Sequence, residues 1–170
     1  MKPTATKTFL AQLLLVRKNL RTRLNTFIAR HTCRTWGVHS VVAGSAVLED
    51  PWNISVGNGT IINEGAYLNA YDTITIGNHV HISSFCIINT GTLDDKEGSE
   101  RNHAGSTVVI EDGAWLASGV IVNPGVKIGA HAVIGAGSVV TKDIPAYSIA
   151  VGSPARVIGD RNPSSSQGSQ

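Results

Sequence analysis

Six histidines are the side chains of this sequence best suited to moving a proton near neutral pH. His103 lies in the run Asn102-His103-Ala104-Gly105-Ser106-Thr107, directly after the densest charge in the chain: Asp94, Asp95, Lys96, Glu97, Glu100 and Arg101. Glu100, Asp94 or Asp95 would orient its ring through a carboxylate–imidazole hydrogen bond, an arrangement suited to general acid–base work. His81 opens an expected strand, His81-Ile82-Ser83, from which it would face a groove. His79 and His131, in Gly77-Asn78-His79-Val80 and Gly129-Ala130-His131-Ala132, read as turn residues, and His31 and His39 flank the junction between a helix and the first coil. The two cysteines, Cys33 and Cys86, have neither metal nor redox spacing and read as free thiols of a reducing compartment.

The elements that must hold these groups are set by a six-residue beat. Ile110, Leu116, Val122, Ile128, Ile134 and Val140 fall six apart. Ala114, Val120, Val126, Ala132, Ser138 and Ile144, each four positions later, are small or aliphatic. Neither a helix nor a flat hairpin repeats every six residues. A parallel β-helix does, each hexad giving one short strand and one turn, and three hexads closing one triangular coil. Earlier in the chain Val42, Leu48 and Ile54 keep the beat. It resets to Val56, Ile62 and Leu68, then to Ile76, Ile82 and Ile88, each reset implying two extra residues at a corner. Asn58-Gly59, Glu64-Gly65, Gly77-Asn78, Asp112-Gly113 and Pro124-Gly125 supply turn chemistry.

Between Ile88 and Ile110 the beat is lost, and the polar stretch there is expected to leave the solenoid as a loop over 89–107. The division is a basic helical segment over 1–38, the β-helix over 39–161, and a Ser/Gly/Gln-rich tail over 162–170 expected to be disordered. The segment after Ile144 reads as extended, with a turn at Gly152-Ser153-Pro154. A content of 42% hydrophobic but only 5% aromatic residues, with 18 glycines, suits a tightly wound solenoid better than a helical bundle.

The formal net charge of +2 hides an asymmetry. Lys2, Lys7, Arg17, Lys18, Arg21, Arg23, Arg30 and Arg34 all precede the first acid, Glu49. Within 8–31, Leu10, Leu13, Leu14, Leu20, Leu24, Phe27 and Ile28 recur at helical spacing, with a start near Pro3, Thr4 and Thr6. Two readings stay open for this amphipathic helix: it packs on the first coil and covers the open end of the solenoid, or it forms a peripheral foot on anionic lipid. The basic residues are not interleaved with aromatics, which argues against nucleic acid. The apolar run Phe9–Val16 is too short to span a bilayer and lacks a small-residue cleavage site, so a cytoplasmic protein is expected, peripheral at the inner face of the membrane on the second reading.

Four segments carry a resemblance: DGAW at 112–115, NPGV at 123–126, GAGSVVTKDIP at 135–145 and GSPARVI at 152–158. In this order they closely resemble the hexapeptide-repeat acetyltransferases, and most of all the galactoside, maltose and colanic-acid biosynthesis O-acetyltransferase branch. The resemblance covers roughly 54–161. It implies an all-β solenoid, a left-handed parallel β-helix, assembled as a homotrimer with acetyl-CoA in a groove between subunits. It implies that Trp115 borders the pantetheine or acetyl end, and that Ser118 and Ala136 offer backbone groups to the pantetheine arm. Thr141 and Lys142 would lie along the nucleotide end, and Arg156 would meet its phosphate. No metal is expected. The activity implied is acetyl transfer to a hydroxyl of a saccharide, by direct attack within a ternary complex.

The sequence departs from that branch at the base. There a histidine follows a Thr-Gly dipeptide, directly or after a serine. Here the chain reads Thr90-Gly91-Thr92-Leu93-Asp94, and neither Thr92 nor Leu93 can take the proton. The Asn102–Thr107 run resembles the corresponding segment of the xenobiotic acetyltransferase branch, where the histidine is the base, which makes His103 the candidate. Asn69, Asn89 and His81 are candidates for contacting the acceptor sugar. A non-catalytic module that binds CoA or a partner is the alternative. A γ-class carbonic anhydrase-like metalloprotein is the weaker one, because the positions matching its other two histidines hold Ser84 and Asn89.

Overall fold

The computed structural model describes residues 5–94 and 102–161. Inward-facing residues recur where the beat places them. Ile62, Leu68, Ile82, Ile88, Ile110, Leu116, Val122, Ile128, Ile134 and Val140 are fully buried, and Ala114, Val120, Ala132 and Ser138 fill the corners between them. The result is a three-sided parallel solenoid of about five coils. Its first face stacks Thr35–Trp36, Ile54–Val56, Ile74–Ile76, Val108–Ile110 and Lys127–Ile128. The second stacks Val41–Val42, Ile61–Ile62, His81–Ile82, Trp115–Leu116, Val133–Ile134 and Ser148–Gly152. The third stacks Val47–Glu49, Tyr67–Asn69, Ile87–Asn89, Ile121–Val122 and Val139–Val140.

The first coil opens at Thr35, four residues before the expected start, because Thr35 and Trp36 already pair with Ser55 and Val56. The resets have a plain cause. Ile54 and Val56, and Ile74 and Ile76, bury both ends of a three-residue strand, so two successive coils carry a wider first face. At the far end Ser148–Gly152 and Ala155–Asp160 form an antiparallel hairpin about the expected turn, with a cis Ser153–Pro154 peptide.

Corner polar groups are tied to the coil above or below. The Asn58 side chain accepts from the Val38 N–H, that of Asn78 from the Asn58 N–H, and that of Asp112 from the Asn78 N–H. Gly113, at φ +68°, shows why glycine is needed at such a corner: its backbone is left-handed, and a Cβ would collide with the Nδ1–Cε1 edge of the His131 ring of the next coil. His131 in turn stacks on Tyr147, with ring centroids 5.0 Å apart.

The helix, Ala5–Thr32, lies on the first coil, the first of its two readings, with its apolar stripe facing away from the solenoid. Leu20 is 67% exposed and Phe27 61%, and Leu13, Leu14, Leu24 and Ile28 are exposed too. The side chain of Leu10 lies outside the described residues. The buried side uses Ala29 together with Asn25 and Thr26. The reason is that the terminal coil of a parallel stack presents unpaired backbone groups as well as aliphatic surface. Thr26 Oγ1 donates to the Val42 carbonyl at 3.3 Å and accepts from the Val42 N–H at 3.1 Å, and Asn25 donates to the Ala43 carbonyl at 3.2 Å.

One expectation is corrected, that of the excursion. Its two ends are strands rather than loop: Gly91–Asp94 and Asn102–Gly105 pair antiparallel. Polar residues are compatible with this because a two-stranded ribbon standing off the body needs no buried face. Residues 95–101 lie outside the described residues, as does the tail 162–170.

Candidate functional site

The excursion hairpin leaves the solenoid at the edge between the third and first faces, and its root is pinned. Thr90 is fully buried; its Oγ1 donates to the Asn69 carbonyl at 3.0 Å and accepts from the Asp72 N–H at 2.8 Å. Asn89 closes its amide on Gly91, donating to the Gly91 carbonyl and accepting from the Gly91 N–H, both at 3.0 Å. A candidate for contacting an acceptor is thereby a clasp at the base of the hairpin. Asn69, half-buried, lies directly beneath it in the same register column, above Glu49. Tyr67 donates to the Glu49 carboxylate, which pushes the phenol pKa up.

His103 is exposed on the returning strand, directly opposite Leu93. Its ring lies beside Tyr71, with centroids 6.0 Å apart, and the Tyr71 hydroxyl donates to the His103 carbonyl at 3.3 Å. Gly105 lets the strand close down on this neighbour, because a Cβ there would press on Asp72 and Tyr71. Tyr71 and Asp72 were not singled out by sequence; the tyrosine sits one coil below the hairpin, and only the stacking makes them adjacent. Of the carboxylates expected to orient His103, Asp95 and Glu100 lie outside the described residues, as does the side chain of Asp94.

A second group occupies the second face and its edge with the third. Trp115 stands directly above His81 in register, half-exposed, and its indole N–H donates to Ser83 Oγ at 3.1 Å. Asn63 Nδ2 lies 2.9 Å from His81 Nε2 and 3.0 Å from the Ile82 carbonyl. An amide nitrogen can only donate, so Nε2 of His81 is the acceptor. Asn63 and Ser83 were also missed by sequence, though their spacing of one coil was a usable signal. Ser118 and Ala136 are exposed on the edge above, with the Gly137 N–H bonded to the Ser118 carbonyl at 3.0 Å. The closing hairpin continues the same edge, since the Gly152 N–H bonds to Ser138 Oγ, and it carries the exposed Arg156. Thr141 and Lys142 are exposed on the other edge, above the root of the excursion.

One chain therefore divides the candidates between two edges. Trp115, Ser118, Ala136 and Arg156 run up one side, with His81 below them. His103, Asn69, Asn89, Thr141 and Lys142 lie along the opposite edge of the third face. The outward residues between them are largely apolar. Val41, Ile61, Trp115, Val133 and Ile149 mark the second face, and Val47, Tyr67, Ile87, Ile121 and Val139 the third. The first face is mostly polar, with Thr35, Ser55, Thr75 and Lys127 beside Val109. On it the Lys127 ammonium lies 2.7 Å from Glu111, whose carboxyl is held below the usual range first by that contact and then by the Ala130 N–H. Among the described residues no three His, Cys, Asp or Glu side chains gather as a metal-ligand set.

Comparison with known proteins accords with this geometry. The profile of the bacterial transferase hexapeptide family (six repeats) matches residues 107–142. The chain is 42% identical over 110 residues to the galactoside O-acetyltransferase of Lactococcus lactis, a match covering 62% of this chain and 52% of that one. The chain thus spans about half the length of some of its curated relatives. It is 34% identical over 139 residues to the putative colanic acid biosynthesis acetyltransferase of Escherichia coli, covering 82% of this chain and 76% of the relative. A hexapeptide-repeat acetyltransferase of Vibrio cholerae, solved with acetyl coenzyme A, superposes with a TM-score of 0.73 at 30% identity, over 79% of this chain and 74% of that one. The repeat, the fold and the extended match to the Escherichia coli protein agree: the chain belongs to the hexapeptide-repeat acetyltransferase family.

Proposed function

We propose that this protein transfers an acetyl group from acetyl-CoA to a hydroxyl of a saccharide, in the cytoplasm, as a homotrimer whose sites form between neighbouring copies. The observation that carries the reading is the hairpin, which holds His103 at the edge of the solenoid directly across from Leu93. The two-edge division of the candidates supports the between-copy site. A neighbour packed on the apolar faces would bring its Trp115 edge toward the His103 edge of the first chain. The Vibrio cholerae relative, solved with acetyl coenzyme A, supports the donor.

In this mechanism His103 takes the proton of the acceptor hydroxyl as the oxygen attacks the thioester carbonyl. The tetrahedral adduct collapses by breaking the carbon–sulfur bond, and the leaving thiolate recovers the proton from the imidazolium. Products are the acetyl ester and CoA, with no acyl-enzyme. Trp115, Ser118 and Ala136 line the path of the pantetheine arm. Lys142 and Arg156 supply cations for the phosphates of the nucleotide end.

The test is thiol release from acetyl-CoA across a panel of saccharide acceptors, wild type against His103→Ala. Acceptor-dependent release that falls by about 10²–10⁴-fold in the variant supports the assignment. Unchanged turnover removes His103 from the mechanism. CoA binding by calorimetry without turnover on any acceptor favours the non-catalytic reading.

A further inference from the structure

The outward stripe of the N-terminal helix is the largest feature that the acyltransfer reading leaves unused. At 100° per residue, Leu13, Val16, Leu20, Leu24 and Phe27 share one side, opposite the Asn25, Thr26 and Ala29 side seated on the first coil. All five are more than half exposed. Arg17 follows one border of the stripe and Arg23 and Arg30 the other, all exposed, while Arg21 turns toward Gly44 of the first coil.

We propose that this helix lies flat on a bilayer containing anionic lipid, its apolar stripe among the acyl chains and its arginines at the headgroups. Charge selects this occupant. The first 48 residues carry eight basic groups and no acid, so a second copy laid along the same stripe would set arginine against arginine. An anionic membrane answers both the apolar centre and the cationic borders. The helix rests on the surface rather than crossing it, since no helix among the described residues is long and apolar enough to span a membrane. Its seat on the end of the stack leaves the outer side clear of the faces and edges that carry the candidate site. The Lys18–Glu64 ion pair, at 3.2 Å, adds a second anchor between helix and solenoid.

The experiment is co-sedimentation of the full chain with vesicles of phosphatidylglycerol and phosphatidylcholine, against phosphatidylcholine alone, and it needs no enzymatic activity. Binding to the mixed vesicles should exceed binding to the neutral ones by about tenfold or more, and should weaken as salt rises from about 0.1 to 0.5 M. Leu20→Glu with Phe27→Glu should lower binding at least as much while circular dichroism and oligomeric mass stay unchanged, and Arg23→Gln with Arg30→Gln should erase the lipid preference. Equal pelleting with both vesicle types, or wild-type binding by the Leu20/Phe27 variant, overturns the proposal. So does a drop in oligomeric mass in that variant, which would assign the stripe to another copy of the chain.

Discussion

Leu93 and His103 are register partners across the excursion hairpin, so their side chains leave the ribbon on the same side. Directly opposite residues of an antiparallel pair hold their Cβ atoms about 4.5–5.5 Å apart. The imidazole that the related acetyltransferases are expected to carry on the outgoing strand thus has a counterpart on the returning one, a single cross-strand step away. If the position rather than the strand matters, the function should be transferable. In a His103→Ala background, Leu93→His should restore about a tenth or more of the lost kcat, whereas Leu93→Ala should restore none. Steady-state rates with a working acceptor decide it.

Tyr71 holds the hairpin from below through its hydroxyl and the His103 carbonyl. Tyr71→Phe keeps the ring and deletes a neutral, exposed hydrogen bond worth about 0.5–1.5 kcal/mol. The expected result is a fall in kcat of about three- to tenfold with little change in KM for acetyl-CoA. Faster amide exchange over 102–105, seen by mass spectrometry, should accompany it if His103 is the proposed base, since the hairpin that holds it would then be looser while the proposed cofactor edge is untouched.

Gly113 is doubly constrained, by its left-handed backbone and by the His131 ring above it. Gly113→Ala should destabilise by about 1–3 kcal/mol in urea unfolding. Adding His131→Ala should recover part of the loss, because it removes the steric collision but not the backbone cost. Additive effects would show that the ring yields freely.

Burial pushes the Cys33 thiol up to about 11 from its ordinary 9.0, and burial raises Cys86 as well. The folded state therefore keeps its protons at pH values where the unfolded chain gives them up. This contribution is fully present below about pH 9 and is lost as pH rises toward 11. Iodoacetamide at pH 8 should modify both thiols far more slowly in the native protein than in urea. The urea midpoint should fall between pH 8.5 and 11, and less so in a Cys33→Ser variant.

The coil was legible because each inward residue from Ile110 to Val140 answers to one geometric rule, and burial enforces that rule at every step. Which side of the helix takes the seat on the first coil was not legible, for the opposite reason. Apolar periodicity marks a face that seeks cover, but the end of a parallel stack offers backbone donors and acceptors, so Thr26 and Asn25 won the seat and Leu20 and Phe27 lost it. The strands at 91–94 and 102–105 were hidden because an exposed ribbon has no apolar alternation to read. Within the candidate site, His103 and Trp115 stood out by type, while Tyr71, Asn63 and Ser83 gained meaning only from coils stacked one above another.

The Thr26 bonds to Val42 have a consequence for solubility. A column of parallel strands has no intrinsic length; each terminal rung is a template on which another could grow. The helix side chains occupy that template at one end, and the antiparallel strand Ala155–Asp160 ends the second face at the other. A chain shorn of residues 1–32 would expose raw rungs, and head-to-tail fibres, rather than simple unfolding, are its expected fate.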